Sequence, residues 1–421
     1  MKFLINRLFK SPTAKMGAKF TGGNVLVAVI GAVSTLVYGK WIGPEVLGEF
    51  NKYGILTSYL SIGIIFVDAA FQRHFQYFLG KNKEDKALEI AAVAHWWFLA
   101  VFILGAVVFT VLAIYNLILN DIKGFWGWSA QILAYGLITY GLYLGTLYRS
   151  NKDFLKLNRN LIATAGVGII SLPLIYFFNF FGFAYRNIFQ NLTKLLMLRQ
   201  FAPFKVKPRF NKKILLDLFK VSLPLQIPVY LDTYLLKASI GLIILTTQGE
   251  KALGVYAMAL TLSGFLMIFS KSLNQIISTK IMLKYGSNDS VKETFYAVIK
   301  PIVYLTLLAI LLVIIFVILI NPAISCFLPK YVDSILIAQI LSFELILSLI
   351  RAPFTLFISS LMYKSLIIQR LSKVFITFLL LFLFHDSLVQ IAIVLVMANF
   401  LNVLYGYFVM YKVINNEQNK S

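Results

Sequence analysis

The chain reads as an all-α integral membrane protein of about 12 transmembrane helices, in two six-helix lobes related by an axis along the membrane normal. Composition, the spacing of apolar runs and a short motif that occurs twice predict this. Of 421 residues, 59% are hydrophobic and only 13% charged, and the mean hydropathy is +0.81; soluble domains carry roughly 25% charged residues. In a bilayer the backbone must satisfy its own hydrogen bonds, and apolar runs of about 20 residues do so as spanning helices.

Taken in order, the apolar runs place spans at 20–42, 46–72, 88–114, 124–148, 160–178, 181–200, 214–245, 251–276, 294–320, 333–362, 366–384 and 388–411. The sixth is the least apolar, because Arg186, Gln190 and Lys194 recur along it. The seventh is interrupted by Pro224 and Pro228, which a membrane helix tolerates only where neighbours or water satisfy the freed carbonyls. Ahead of the first span, "MKFLINRLFKSP" is expected to lie on the membrane surface as an amphipathic helix, since Arg7 and Lys10 break the apolar run a cleavable signal needs. Trp41, Trp96, Trp97, Trp126 and Trp128 fall near span ends, where interfacial belts form.

Charge placement sets the orientation. With both termini on the cytoplasmic side, inner segments hold 27 of the 39 Lys and Arg residues and outer loops hold four, as the positive-inside rule requires. A multi-pass protein with both termini on the cytoplasmic side is expected. The net charge of +22 then follows from topology and attraction to anionic membrane lipid, and no groove-reading or stacking module points to nucleic acid. One cysteine, Cys326, and three dispersed histidines offer no local metal or redox motif, and no Walker or Rossmann glycine pattern occurs. No cofactor is expected.

The repeated motif organises the chain. A shift of 206 positions places Gly43 on Gly249, Leu47 on Leu253, Gly48 on Gly254 and Phe50 on Tyr256, and continues to Gly80 on Gly286 and Lys86 on Lys292. Each turn joins the first two helices of a lobe, at the outer face, where glycine permits positive φ and a tight hairpin. The expected division is an N-terminal lobe at 1–200, a basic cytoplasmic linker at 201–213 and a C-terminal lobe at 214–421.

Two stretches, "KFTGGNVLVAVIGAVSTLVYGKWIGPEVLGEF" and "LPLQIPVYLDTYLLKASIGLIILTTQGEKALGVYAMALTL", resemble the oligosaccharide flippases of polysaccharide biosynthesis, the Wzx type that serves O-antigen and capsule. These belong to the superfamily of MATE exporters and the lipid II flippase. The specific elements are the Leu-Gly-x-aromatic turn and the Leu-Pro ahead of Asp232. Two features depart from related patterns: Thr233 stands where family members often carry a basic residue, and the two additional C-terminal helices of lipid II flippases are missing. The resemblance implies a non-enzymatic transporter of polyprenyl-pyrophosphate-linked oligosaccharide, working beside polysaccharide polymerase and chain-length machinery.

Intramembrane charge supplies the site residues, because ionised groups at mid-membrane survive only in a wet cavity or beside a partner. Arg186, Lys194, Lys237, Lys271 and Arg351 are the expected cationic cavity for phosphate. Asp68, Asp232 and Glu344 are the candidate ion-coupling carboxylates. Two alternatives stay open: a MATE-type exporter, whose cavity should be acidic, and a membrane polymerase or ligase, which should carry an acid/base pair in a sizeable outer loop.

Overall fold

The structure, a computed structural model, describes residues 12–151, 153–288, 290–359 and 362–418. The expected surface helix of the N-terminus lies outside these, save Pro12. The chain is helical throughout, with no strand among the described residues. Its helices are α1 (Pro12–Trp41), α2 (Pro44–Leu60), α3 (Asp68–Gly80), α4 (Glu84–Ile118), α5 (Ile122–Ile138), α6 (Tyr140–Ser150), α7 (Phe154–Ile170), α8 (Leu172–Phe178) and α9 (Phe180–Gln200). There follow α10 (Lys212–Tyr230), α11 (Leu236–Asn288), α12 (Val291–Phe327), α13 (Ser334–Ser342), α14 (Glu344–Ile350), α15 (Thr355–Ser359), α16 (Tyr363–Leu383) and α17 (Leu388–Gln418).

Among the described residues, seven helical stretches are long and apolar enough to cross a membrane, and an eighth is the pair Pro44–Phe66 and Asp68–Gly80, bent by 42°. The remaining expected spans are also helical, with reasons for falling short. Leu26–Trp41 and Ser334–Ile350 are apolar but short, and α9 carries its polar stripe. The stretch Lys212–Lys271 counts once, yet Gly249, at φ 84°, breaks it into the expected seventh and eighth spans. Outward-facing side chains such as Leu104, Ile118, Ile170, Ile318 and Phe382 are exposed well beyond what water tolerates in a contiguous belt. The protein is a multi-pass membrane protein.

Breaks between helices have local causes. A 3-10 segment, Ser61–Phe66, ends at Val67 (φ −128°) before α3. Asn179, at φ 53° and ψ −116°, separates α8 from α9, a positive-φ break of a kind uncommon outside glycine but several-fold enriched in asparagine. Ser290 starts α12 by accepting from the Glu293 N–H at 3.3 Å, the first half of a Ser-x-x-Glu capping box. Pro224 and Pro228 inside α10 remove two backbone donors, and the chain relaxes into a π-helical turn at Leu231–Leu235.

Contacts divide the chain into two compact units, residues 1–42 with 50–230 and residues 43–49 with 231–421. In the first, Phe71, Phe75, Phe98, Tyr143, Leu147 and Leu218 are buried together. Here α10 is held by Ser222, whose hydroxyl donates to the Ile65 carbonyl at 2.7 Å and accepts from the Ala69 N–H at 3.2 Å. The second unit centres on Ile281, Ile302, Leu356, Phe357 and Met410.

The two repeated turns touch within the second unit. A Cβ on Gly48 would overlap the carbonyl oxygen of Glu250, and one on Gly254 would overlap that of Pro44. Under the 206-residue shift Gly48 corresponds to Gly254 and Pro44 to Glu250, so the contact is reciprocal. Glu45 and Lys251, also equivalent, form an exposed ion pair at 3.4 Å. Positive φ occurs only at Gly249 of the pair Gly43 and Gly249; the glycines at 48 and 254 serve close approach instead.

Candidate functional site

Each unit holds a polar cluster that is buried or partly buried, and the two differ in chemistry. In the first, Asp68 opens α3 just past the 3-10 break and is 6% exposed. Its Oδ1 accepts from the Gln72 amide at 2.8 Å and its Oδ2 from the Gln226 amide at 3.0 Å. Arg149 lies within electrostatic reach, turned to the Thr146 hydroxyl at 2.9 Å. The helix N-terminus beneath Asp68 favours its negative charge.

A second polar group in that unit follows α9. The Arg186 Nε–H donates to the Gly168 carbonyl at 3.0 Å, and the guanidinium lies 5.7 Å from the Tyr38 ring centroid. Gln190 fills the space that a side chain at position 168 would need. Asn191 donates to Asn187 at 2.7 Å, and Asn160 of α7 donates to the Lys194 carbonyl at 3.3 Å. Phe189, Leu192 and Leu196 on the opposite side of α9 are exposed. The stripe therefore faces protein, and α9 does not lie on the membrane surface with its polar side in water.

The second unit holds a denser cluster. Asp232 sits on the π-helical turn, where the wider coil places it against α16, and its Oδ1 is 2.6 Å from Lys373 Nζ. Those side chains are 22% and 13% exposed, a pair largely removed from water. Glu344, at the start of α14, is 3.8 Å from Arg351 at its end. Asn399 of α17 closes the triangle: its amide donates to Glu344 Oε1 at 2.5 Å, and its Oδ1 accepts from Arg351 Nη1 at 3.1 Å. Arg370 lies within electrostatic reach of both Asp232 and Arg351, and Lys373 of Glu344. The five groups form one network of three cations and two carboxylates. Burying such charge is costly unless each is paired, and here the cations outnumber the acids.

The expected site residues thus separate. Asp232, Glu344 and Arg351 come together in the second unit, while Asp68, Arg186 and Lys194 lie in the first. Lys237 and Lys271 are exposed, and no contact among the described residues joins them to either cluster. Lys373 and Arg370 are absent from the expected set because charge sorting assigns them to an inner loop. Their i, i+3 spacing within the otherwise apolar run 366–384 is the available signal. Asn399 and Gln226 carry none, since a lone amide in a span has many uses. No group of three or more potential metal ligands occurs among the described residues.

Solved structures share this architecture. The chain is similar to an inward-facing multidrug resistance MATE family transporter of the MOP superfamily, at 15% identity over 94% of this chain and 96% of that one, with a TM-score of 0.68. It is similar to an outward-facing multidrug resistance MATE family transporter of the same superfamily at 15% identity over 98% of each chain, with a TM-score of 0.61. MATE in complex with MaL6 aligns at 15% identity over 98% of this chain and 99% of that one, also at 0.61. At such identity the likeness establishes the fold. No curated protein matches the sequence. The family model for polysaccharide biosynthesis proteins matches residues 49–330, two-thirds of the chain, and the chain belongs to that family.

Proposed function

We propose that the protein is a flippase that moves polyprenyl-pyrophosphate-linked oligosaccharide repeat units from the cytoplasmic to the outer leaflet by alternating access, for surface polysaccharide biosynthesis. One observation carries the reading: in a chain of the polysaccharide biosynthesis family, the partly buried network around Asp232 and Glu344 holds three cations against two carboxylates. That excess attracts an anion and disfavours a cationic drug. Arg351, Arg370 and Lys373 are the groups suited to phosphate, through charge-assisted hydrogen bonds. Arg186 and Lys194, with the neighbouring amides and Tyr38, suit a second contact with the sugars. Lys237 and Lys271, exposed as they are, would guide the headgroup rather than enclose it.

Energy would come from an ion gradient or the membrane potential acting on Asp68, Asp232 and Glu344. The protein works in the bacterial inner membrane with both termini cytoplasmic, alongside the polymerase and chain-length machinery that consume its product. The test is a strain lacking the gene, in which lipid-linked oligosaccharide is followed with a lectin added to one side of the membrane. Single repeat units trapped on the cytoplasmic leaflet are expected. Units that reach the outer face unpolymerised would assign a polymerase, and unchanged sugar lipids would assign an exporter of the MATE type.

A further inference from the structure

The basic linker after α9 is anchored along its length in the first unit. Phe204 packs edge-on against Phe75 at 5.5 Å, Phe210 packs against Trp96 at 4.7 Å, and the Arg209 N–H donates to the Ala92 carbonyl at 3.1 Å. His95 Nδ1 lies 2.7 Å from the Val206 carbonyl. A carbonyl only accepts, so Nδ1 carries the proton; Nε2 of the neutral ring then accepts from the Tyr140 hydroxyl at 3.2 Å. These contacts seat the linker over a cavity of about 820 Å³.

The cavity's lining is of two kinds. Arg199, Lys205 and Lys207 supply three cations, with no carboxylate in the wall among the described residues. Leu144, Leu196 and Phe204 supply an apolar surface that continues outward, since Leu196 is 56% exposed on the lipid-facing side of α9. One lining group is unsatisfied. Tyr143 is 1% exposed, stacked on His95 at 4.9 Å and on Phe71 at 5.4 Å, and its hydroxyl has no hydrogen-bond partner among the described residues. A buried polar group without a protein partner is uncommon in a native structure and leaves a donor available to whatever occupies the cavity.

We propose that this cavity binds the phosphate headgroup of a lipid at the face the charge distribution assigns to the cytoplasm. Arg199, Lys205 and Lys207 hold the phosphate, the Tyr143 hydroxyl donates to one of its oxygens, and the first methylenes of the chain lie on Leu196 and Phe204. The site shares no lining residue with the polar clusters described above and does not depend on the transport reading. Because the linker roofs the cavity, lipid occupancy also fixes the linker's seat against α4. Membrane phospholipid and polyprenyl pyrophosphate share this headgroup chemistry, so the experiment must separate them.

The full chain, purified in detergent, is titrated with phosphatidylglycerol and with diacylglycerol, its uncharged counterpart, and binding is read by native mass spectrometry. Saturable binding of phosphatidylglycerol alone is expected. Lys205→Ala with Lys207→Ala should weaken it at least about ten-fold, the loss of charge-assisted contacts, whereas Lys212→Ala with Lys213→Ala should not. Tyr143→Phe should weaken it about three- to five-fold, on the scale of one hydrogen bond, without lowering the melting temperature of the lipid-free protein. Competition by polyprenyl pyrophosphate at lower concentration than phosphatidylglycerol would identify the isoprenoid lipid as the occupant; its failure to compete would identify bilayer phospholipid. Equal binding of diacylglycerol, equal losses in the two lysine pairs, or full displacement by inorganic pyrophosphate at matched concentration would each overturn the proposal.

Discussion

Asp68 in the first unit and Asp232 in the second both stand at an irregular helical turn, the one just after a 3-10 segment and the other within a π-helical turn. Their partners differ in kind. Two neutral amides hold Asp68, with Arg149 in electrostatic reach but turned to the Thr146 hydroxyl. Lysine holds Asp232 within a network of opposite charges, where any change of charge is felt by every member. The contrast teaches that similar breaks in a helix can hold their carboxylates in different ways, by neutral amides in one place and by cations in the other.

The largest expected effect is at the charged network. Lys373→Ala removes the partner 2.6 Å from Asp232 and leaves it Arg370 in electrostatic reach; breaking a buried pair costs about 3–5 kcal/mol, an upper bound for this partly exposed one, and thermal unfolding of the purified protein should show it. Adding Asp232→Asn to that variant should recover most of the stability but not polysaccharide export in a complementation assay. Recovery of export as well would show that the network is structural and end the contrast. Next, Gly48→Leu should destabilise by about 1–3 kcal/mol through overpacking, with Gly254→Leu doing the same, both measured as a fall in melting temperature. Arg186→Lys removes the Nε–H donor to Gly168 and the planar stack on Tyr38, with an expected loss of about 1–2 kcal/mol.

Asp68→Asn sharpens the comparison by a small change in stability beside a large one in function. Gln72 and Gln226 can turn their amides to suit the new side chain, so stability should stay within about 1 kcal/mol, while export should lose its response to an imposed ion gradient in membrane vesicles. Export that still follows the gradient would remove Asp68 from the candidate coupling carboxylates. The smallest effect belongs to Glu45 and Lys251, whose side chains are 60% and 63% exposed. The charge swap, Glu45→Lys together with Lys251→Glu, should alter stability by no more than the roughly 0–1 kcal/mol of a surface pair, read from the melting temperature.

Much of the fold was legible because lipid imposes simple rules. Among the described residues each expected span falls on a helical stretch, and Gly43 with Gly249 marked the breaks between the first two helices of each repeat. The site was legible in part. Asp232, Glu344 and Arg351 stand out as charges in apolar runs, and the structure joins them. Lys373 was hidden because its position near a span end reads equally well as a loop charge; only the fold of the π-helical turn brings Asp232 to it. Tyr143 was silent for another reason: a tyrosine in an apolar helix is ordinary, and its missing hydrogen bond exists only in three dimensions.

The reciprocal contact of Gly48 with Glu250 and of Gly254 with Pro44 has a meaning for the chain's history. Equivalent residues of the two repeats meet as the same residue of two identical chains meets across a dimer axis. Neither repeat can gain a side chain there unless the other's backbone yields. The two halves are therefore free to diverge in charge, as their clusters have done, while at this point each remains the template for the other.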